Sequence, residues 1–305
     1  MKTQPQQRPL LSFDWAVKRL LRNKANFGVL EGFLSELLRR QVRVKQILES
    51  ESNSETQLDK VNRVDILVEN EQQELIIIEL QFNSEFDYFH RMLYGSSKLI
   101  TQFIYRGGDF AKVRKVYSIN IVYFDLGHGE DYVYHGYTTF RGLHTGDELH
   151  LTPAQRREFC MMEAGELFPE YYILEVKRFN DVAKDTLDEW IFYLKHNEIK
   201  DNFKAQGLAQ ARELLDYDRL SEEEKRIYDQ VEDARRSLRS SIYTAKIEGR
   251  VEGEEIGRVK GEEVGRAKAL KEMALNAARN GLSVAQIQAI TGLTEAQIAT
   301  LTNIE

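Results

Sequence analysis

Two short apolar runs, Val61–Val68 (VNRVDILV) and Glu74–Phe82 (ELIIIELQF), each hold a carboxylate where a buried strand should be uncharged. Their Val, Ile and Leu content predicts two strands, and the polar stretch Asn70-Glu71-Gln72-Gln73 predicts the turn between them. A turn centred near residue 72 sets Asp65 directly opposite Glu79 on one face of the hairpin. Alternation along the second strand puts Gln81 on that face too. Opposed like charges destabilise a sheet, and an unpaired buried carboxylate is costly. Two readings stay open. Either a divalent cation lies between the carboxylates, because a hard ion takes carboxylate oxygens, or the hairpin is ordinary and Arg63 neutralises an edge charge.

The run that follows, Phe86–Tyr105, predicts a helix ended by Gly107-Gly108. At ~100° per residue, Arg91, Tyr94, Lys98 and Gln102 share one polar stripe. Met92, Leu93, Leu99, Ile100 and Phe103 form a broad apolar face roughly opposite. The stripe suits phosphate contacts beside a metal site; a solvent-facing helix side would look the same. Elsewhere, helices are predicted at Phe13–Leu21 and Phe27–Arg40, a polar loop at Gln46–Lys60, and strands at Val116–Phe124, Asp131–Phe140 and Tyr171–Phe179. Strands mixed with helices in this way predict an α/β or α+β domain with a mixed sheet, ending near residue 200.

Composition limits the function classes. Lys and Arg number 42 against 49 Asp and Glu, a net charge of −7, so any nucleic-acid contact must use a local patch. The longest apolar runs fall far short of the ~20 residues of a membrane-spanning helix. Met1–Leu10 is Gln- and Pro-rich and lacks the apolar core of a signal peptide. A single cysteine, Cys160, excludes a disulfide framework and a cysteine-based zinc site and fits a cytoplasmic location.

After residue 200 the chain becomes highly charged and helical. Gly249, Gly253, Gly257, Gly261 and Gly265 then recur four apart in a Glu, Arg and Lys background. Glycine costs ~1 kcal/mol relative to alanine in a helix. Five of them suggest either close helix–helix approach in a homo-oligomer or a charged helix on which nothing depends. Ser283-Val-Ala-Gln286 and Thr294-Glu-Ala-Gln297 both fit the capping-box pattern and form an eleven-residue duplication. They predict two short helices in a helix-turn-helix-like tail, favouring packing over DNA contact because Arg and Lys are absent after Arg279.

Taken in order, these segments resemble the Rpn (recombination-promoting nuclease), transposase-like branch of the PD-(D/E)XK nuclease superfamily. FDWAVKRLL is similar to the family's D-x-x-F-K-x-x-F start, with Val17 and Leu21 where Phe is common, and VLEGFLSELL to its next helix. RVDILV resembles the metal-binding Asp strand, and IIIELQF the I-E-x-Q strand in which Gln replaces the superfamily lysine. RMLYGSSKLITQFIYRGGDF is similar to its Arg-Tyr-Gln-Gly helix, and the likeness runs on through YYILEVKRF to the glycine repeat.

The resemblance implies a PD-(D/E)XK restriction-endonuclease-like core, a mixed central sheet flanked by helices, followed by a helical extension. The segments would be a nuclease-like domain at 10–200, a charged helical segment at 201–245, the glycine repeat at 246–275 and the tail at 276–305. It implies a DNA endonuclease using Mg2+, with Mn2+ as the alternative, and linked to recombination or mobile elements. Asp65 and Glu79 would be metal ligands, Gln81 the third motif residue, and Glu31 an added carboxylate from the first core helix. Arg63, Arg91, Tyr94, Lys98 and Gln102 would contact DNA phosphates. A rival is a catalytically silent DNA-binding or assembly protein that keeps the fold, credible because the lysine is missing. A purely structural helical oligomeriser is the third reading.

Overall fold

The computed structural model describes residues 10–12, 27–48, 63–104, 109–159 and 161–302. For Arg63, Val64 and Asp65 the description is of the backbone alone. The expected helix at Phe13–Leu21, most of the expected loop before residue 61, Gly107-Gly108 and Cys160 lie outside these residues. The chain divides into two compact units, Met1–Val231 and Glu232–Glu305. None of the described helices is long and apolar enough to cross a membrane.

In the first unit, α1 (Gly28–Leu38) leads to β1 (Val44–Leu48), β2 (Arg63–Asn70), β3 (Leu75–Gln81), α2 (Tyr88–Gln102), β4 (Val116–Val122) and β5 (Val133–Gly136). Then come α3 (Pro153–Phe159), β6 (Glu170–Glu175), α4 (Thr186–His196) and α5 (Leu208–Leu214). The strands form one six-stranded sheet in the order β1-β2-β3-β4-β6-β5. Pairing is parallel for β3–β4 and β4–β6 and antiparallel elsewhere. The sheet is mixed because α2 supplies the crossover that parallel strands need, whereas a short turn suffices between β2 and β3. That turn is closed by Gln73 N–H to Asn70 O at 3.0 Å and Glu74 N–H to Asn70 Oδ1 at 2.8 Å, with Gln73 at φ 63°.

β1 corrects the sequence expectation, which placed Gln46–Leu48 in a loop. It is an edge strand pairing with β2, and its outward positions Lys45 and Gln46 are exposed. An edge strand with one wet side lacks the apolar run by which buried strands are recognised.

One face of the sheet carries the main core. Val29, Leu30, Phe33, Leu34 and Leu37 of α1 and Trp190, Ile191 and Tyr193 of α4 cover Ile66, Val68, Ile76, Ile78, Leu80, Ile119 and Ile121. The spacing of the α1 residues is that of a helix with one buried stripe. The opposite face is covered by α2 and is not continuous apolar surface. Leu67, Leu75, Ile77, Leu99 and Val116 make one patch, and Tyr88, Met92, Val122 and Phe124 another. On β3 and β4, Glu79, Ser118 and Asn120 fall between the two. The apolar face of α2 differs from the expected one. Tyr88, Met92, Ser96 and Leu99 are buried, and Leu93 is 60% exposed.

α6 (Glu222–Arg279) is one continuous helix that includes all five repeat glycines. Pairs such as Arg258 with Glu255 at 2.7 Å and Glu262 at 2.6 Å support it along its surface. A Cβ built on any of those glycines would meet nothing within 4 Å. In the second unit, α7 (Val284–Thr291) and α8 (Glu295–Thr302) enclose Ala274, Ala277, Ile287 and Ile298. Ser283 and Gln286 form the reciprocal cap at the start of α7, and Thr294 and Gln297 bond in the same way before α8.

Candidate active site

Backbone pairing sets Asp65 directly across from Glu79, on the register the turn implies. The same ladder pairs Arg63 with Gln81. On its other side Glu79 pairs with Asn120 of β4. Asp65, Glu79 and Asn120 therefore form one polar row across three adjacent strands, on the face under α2.

Glu79 is 7% exposed, Gln81 3% and Asn120 0%. Tyr88 Oη lies 3.2 Å from Asn120 Oδ1 and 3.4 Å from Glu79 Oε2, so its one proton is shared between two acceptors. Asn120 is fixed from the other end, its Nδ2 donating to Ser118 Oγ at 3.0 Å. Arg91 Nε is 3.7 Å from Glu79 Oε2, while its NH1 donates to both Glu85 oxygens at 2.9 Å. Gln81 Nε2 donates to Asn83 O at 3.1 Å and to Glu85 Oε1 at 2.8 Å. Gln81 Oε1 is buried and has no hydrogen-bond partner among the described residues. Over this cluster α2 presents Gly95, where a Cβ would stand 3.9 Å from Glu79 Oε1. Any larger side chain there would fill the space above the carboxylate.

The polar stripe of α2 divides. Arg91 turns inward, its side chain 15% exposed, to the two glutamates. Tyr94 and Gln102 face solvent and Lys98 is half-buried. The structure does not bring Glu31 to the pair. Glu31 Oε1 accepts Val44 N–H at 2.9 Å and its Oε2 meets Arg43 NH1 at 3.0 Å, which ties α1 to β1. Val44 pairs with Asn70, five rungs or about 16 Å along β2 from Asp65. A helical wheel places Glu31 beside the apolar stripe but says nothing of which end of the sheet it meets.

Tyr88, Asn120, Glu85 and Gly95 were not singled out from sequence. Asn120 left a trace, a polar residue at an alternate position of the apolar run VYSINIVYF. Its pairing with Glu79 was not readable, because a parallel register depends on the whole crossover.

The donor set suits a hard divalent ion. Glu79 supplies carboxylate oxygens and the orphaned Gln81 oxygen is an amide carbonyl, both ligand types such ions take. Backbone pairing sets Asp65 opposite Glu79, a second acidic residue at the same rung. Among the described residues, no three His, Cys, Asp or Glu side chains gather on their own as a cage.

Comparison with known proteins places the chain in a family. No curated protein and no solved structure matches the chain. The family model of the PD-(D/E)XK nuclease family transposase matches residues 11–245, well over half the chain and including every residue of the polar row. The chain belongs to the PD-(D/E)XK nuclease family transposases.

Proposed function

We propose that this chain is a metal-dependent DNA endonuclease that hydrolyses phosphodiester bonds, in the service of recombination or a mobile element. The observation that carries the reading is the Asp65–Glu79 rung, with the unpartnered Gln81 oxygen beside it. Asp65 and Glu79 would hold Mg2+, or Mn2+ in its place. Such an ion, when bound, lowers the pKa of a coordinated water and neutralises charge developing on the scissile phosphate.

The chain's own residues orient that centre. Asn120 and Tyr88 hold the Glu79 carboxylate in one rotamer through the shared hydroxyl proton. Arg91 holds Glu85 in place through both of its carboxylate oxygens. Tyr94, Lys98 and Gln102, further out on α2, are the side chains offered to a DNA backbone. The C-terminal helices would serve assembly, which sizing the protein with and without residues 246–305 tests.

A second reading has one observation in its favour. Arg91 stands 3.7 Å from Glu79 Oε2, a place that a cation would otherwise fill. On that basis the chain would bind DNA without cutting it. Supercoiled plasmid with and without Mg2+, beside Asp65→Asn and Glu79→Gln, decides between the two. Metal-dependent nicking that both substitutions abolish supports the endonuclease. Retention of DNA with no nicking by the wild-type protein supports the silent binder.

A further inference from the structure

We infer that Gln81 serves this site through its carbonyl oxygen, as a third oxygen donor to the divalent ion, and that Glu85 is the positioning residue that fixes this polarity. The inference rests on the proposed nuclease function and adds to it the identity of the reacting atom. A primary amide offers two N–H donors and one oxygen. At Gln81 both donors are spent, on Asn83 O at 3.1 Å and Glu85 Oε1 at 2.8 Å. Turning the amide over would press its oxygen against a carbonyl and a carboxylate, two acceptors with no proton between them. The network therefore dictates the orientation.

What remains is Gln81 Oε1, in a side chain 3% exposed and without a partner among the described residues. Leaving a buried acceptor unsatisfied is costly. The chain carries that cost two residues from Glu79 on the same face, two rungs beyond the Asp65 pairing. A hard cation removes it, since amide carbonyls are ordinary ligands of such ions. Glu85 does not drift, because Arg91 NH1 holds both of its oxygens at 2.9 Å.

The consequence sets Gln81 apart from the lysine that it replaces. A lysine here would donate to a phosphate oxygen. Gln81 has no donor left to give, so it neither replaces that charge nor contacts the scissile phosphate. It completes a neutral-plus-two-carboxylate oxygen set.

Titration calorimetry of Mn2+ into the full-length protein without DNA tests this, run beside plasmid nicking and thermal unfolding. Gln81→Met, similar in volume, is expected to weaken Mn2+ binding ~10-fold or more, and Glu85→Ala to do the same, the range seen when groups that orient ligands are removed. Gln81→Glu alone sets a carboxylate against Glu85 and also weakens binding. Adding Glu85→Gln to it restores binding, because the new amide donates back; a merely structural Glu85 would give no such rescue.

If the wild-type protein binds Mn2+ and nicks DNA while Gln81→Met binds equally well, the oxygen-donor role is wrong and the nuclease reading stands. Failure of the double substitution to recover binding overturns the role of Glu85. A wild-type protein that neither binds Mn2+ nor nicks overturns the nuclease reading itself.

Discussion

Two acidic residues take positions of the same parity on β2, four residues or about 13 Å apart, and the ladder sets them against opposite kinds of partner. Glu69, beside the turn, pairs across the ladder with Leu75. It accepts from Lys45 Nζ at 2.7 Å and Gln46 Nε2 at 2.9 Å, and Arg114 NH2 makes an ion pair with it at 3.3 Å. Asp65, at the other end, faces Glu79. An acid opposite an apolar residue and ringed by the chain's own cations is part of the scaffold. An acid opposite an acid, with only Arg91 of α2 drawn 3.7 Å from one of them among the described ion pairs, is where the proposed site would take a cation. The difference separates structural charge from site charge without reference to burial, since both glutamates are under 8% exposed.

The largest test of that distinction is at Glu79. Glu79→Gln, like Asp65→Asn, is expected to reduce plasmid nicking by ~1,000-fold or more, the loss of several kcal/mol of charge stabilisation. Unfolding in denaturant should be unchanged or shifted upward, because one of two facing like charges is gone. A large loss of stability instead would make the rung structural.

Glu69→Ala should do the reverse. Nicking is kept, and stability falls by about 1–3 kcal/mol as Gln46 loses its acceptor and Arg114 its ion-pair partner; Lys45 is half exposed and contributes little. Activity lost in proportion to the rung at Glu79 would erase the contrast.

Acid should reveal the same scaffold. Burial pushes the Glu69 and Glu170 carboxyls up, but hydrogen bonds from Lys45 and Gln46 to the first, and from Lys115 and His135 to the second, hold both below their ordinary value near 4.5. Each contributes stability that is present above that value and is lost as pH falls through the depressed one. Thermal melts between neutrality and about pH 3 should fall most steeply below 4.5, and Glu69→Gln should flatten the curve.

The smallest effect is expected at Tyr88→Phe. It removes the hydroxyl shared by Glu79 and Asn120 and leaves the ring in its apolar patch. Nicking should drop only a few-fold, about 1 kcal/mol of lost orientation, with the melting temperature close to that of the wild type.

The sequence made one half of this site readable. Antiparallel register follows from the turn that joins two strands, so the Asp65–Glu79 rung could be placed from a turn centred near residue 72. The other half depends on long-range pairing. Asn120 meets Glu79 only because β4 returns parallel to β3 after a helical crossover, and no local pattern sets that register. β1 escaped notice because VKQIL mixes one buried valine with exposed Lys45 and Gln46. Leu93 was assigned to the buried side of α2 by periodicity and is exposed, because Tyr88 and Ser96 shift the contact stripe round the helix. Glu31 shows the same limit: its angular position was readable, its partner Val44 was not.

The turn between β2 and β3 has a reach beyond its own hydrogen bonds. Because strand residues alternate sides, its length sets the parity of the whole ladder. Shortening it by one residue would carry Asp65 to the far side of the sheet while Glu79 stayed in step with β4. Three residues outside the polar row, Glu71, Gln72 and Gln73, about 20 Å away along the strand, thus act as its timing mark. Inserting or deleting one residue there would undo the proposed site as surely as replacing Asp65, with no site residue changed.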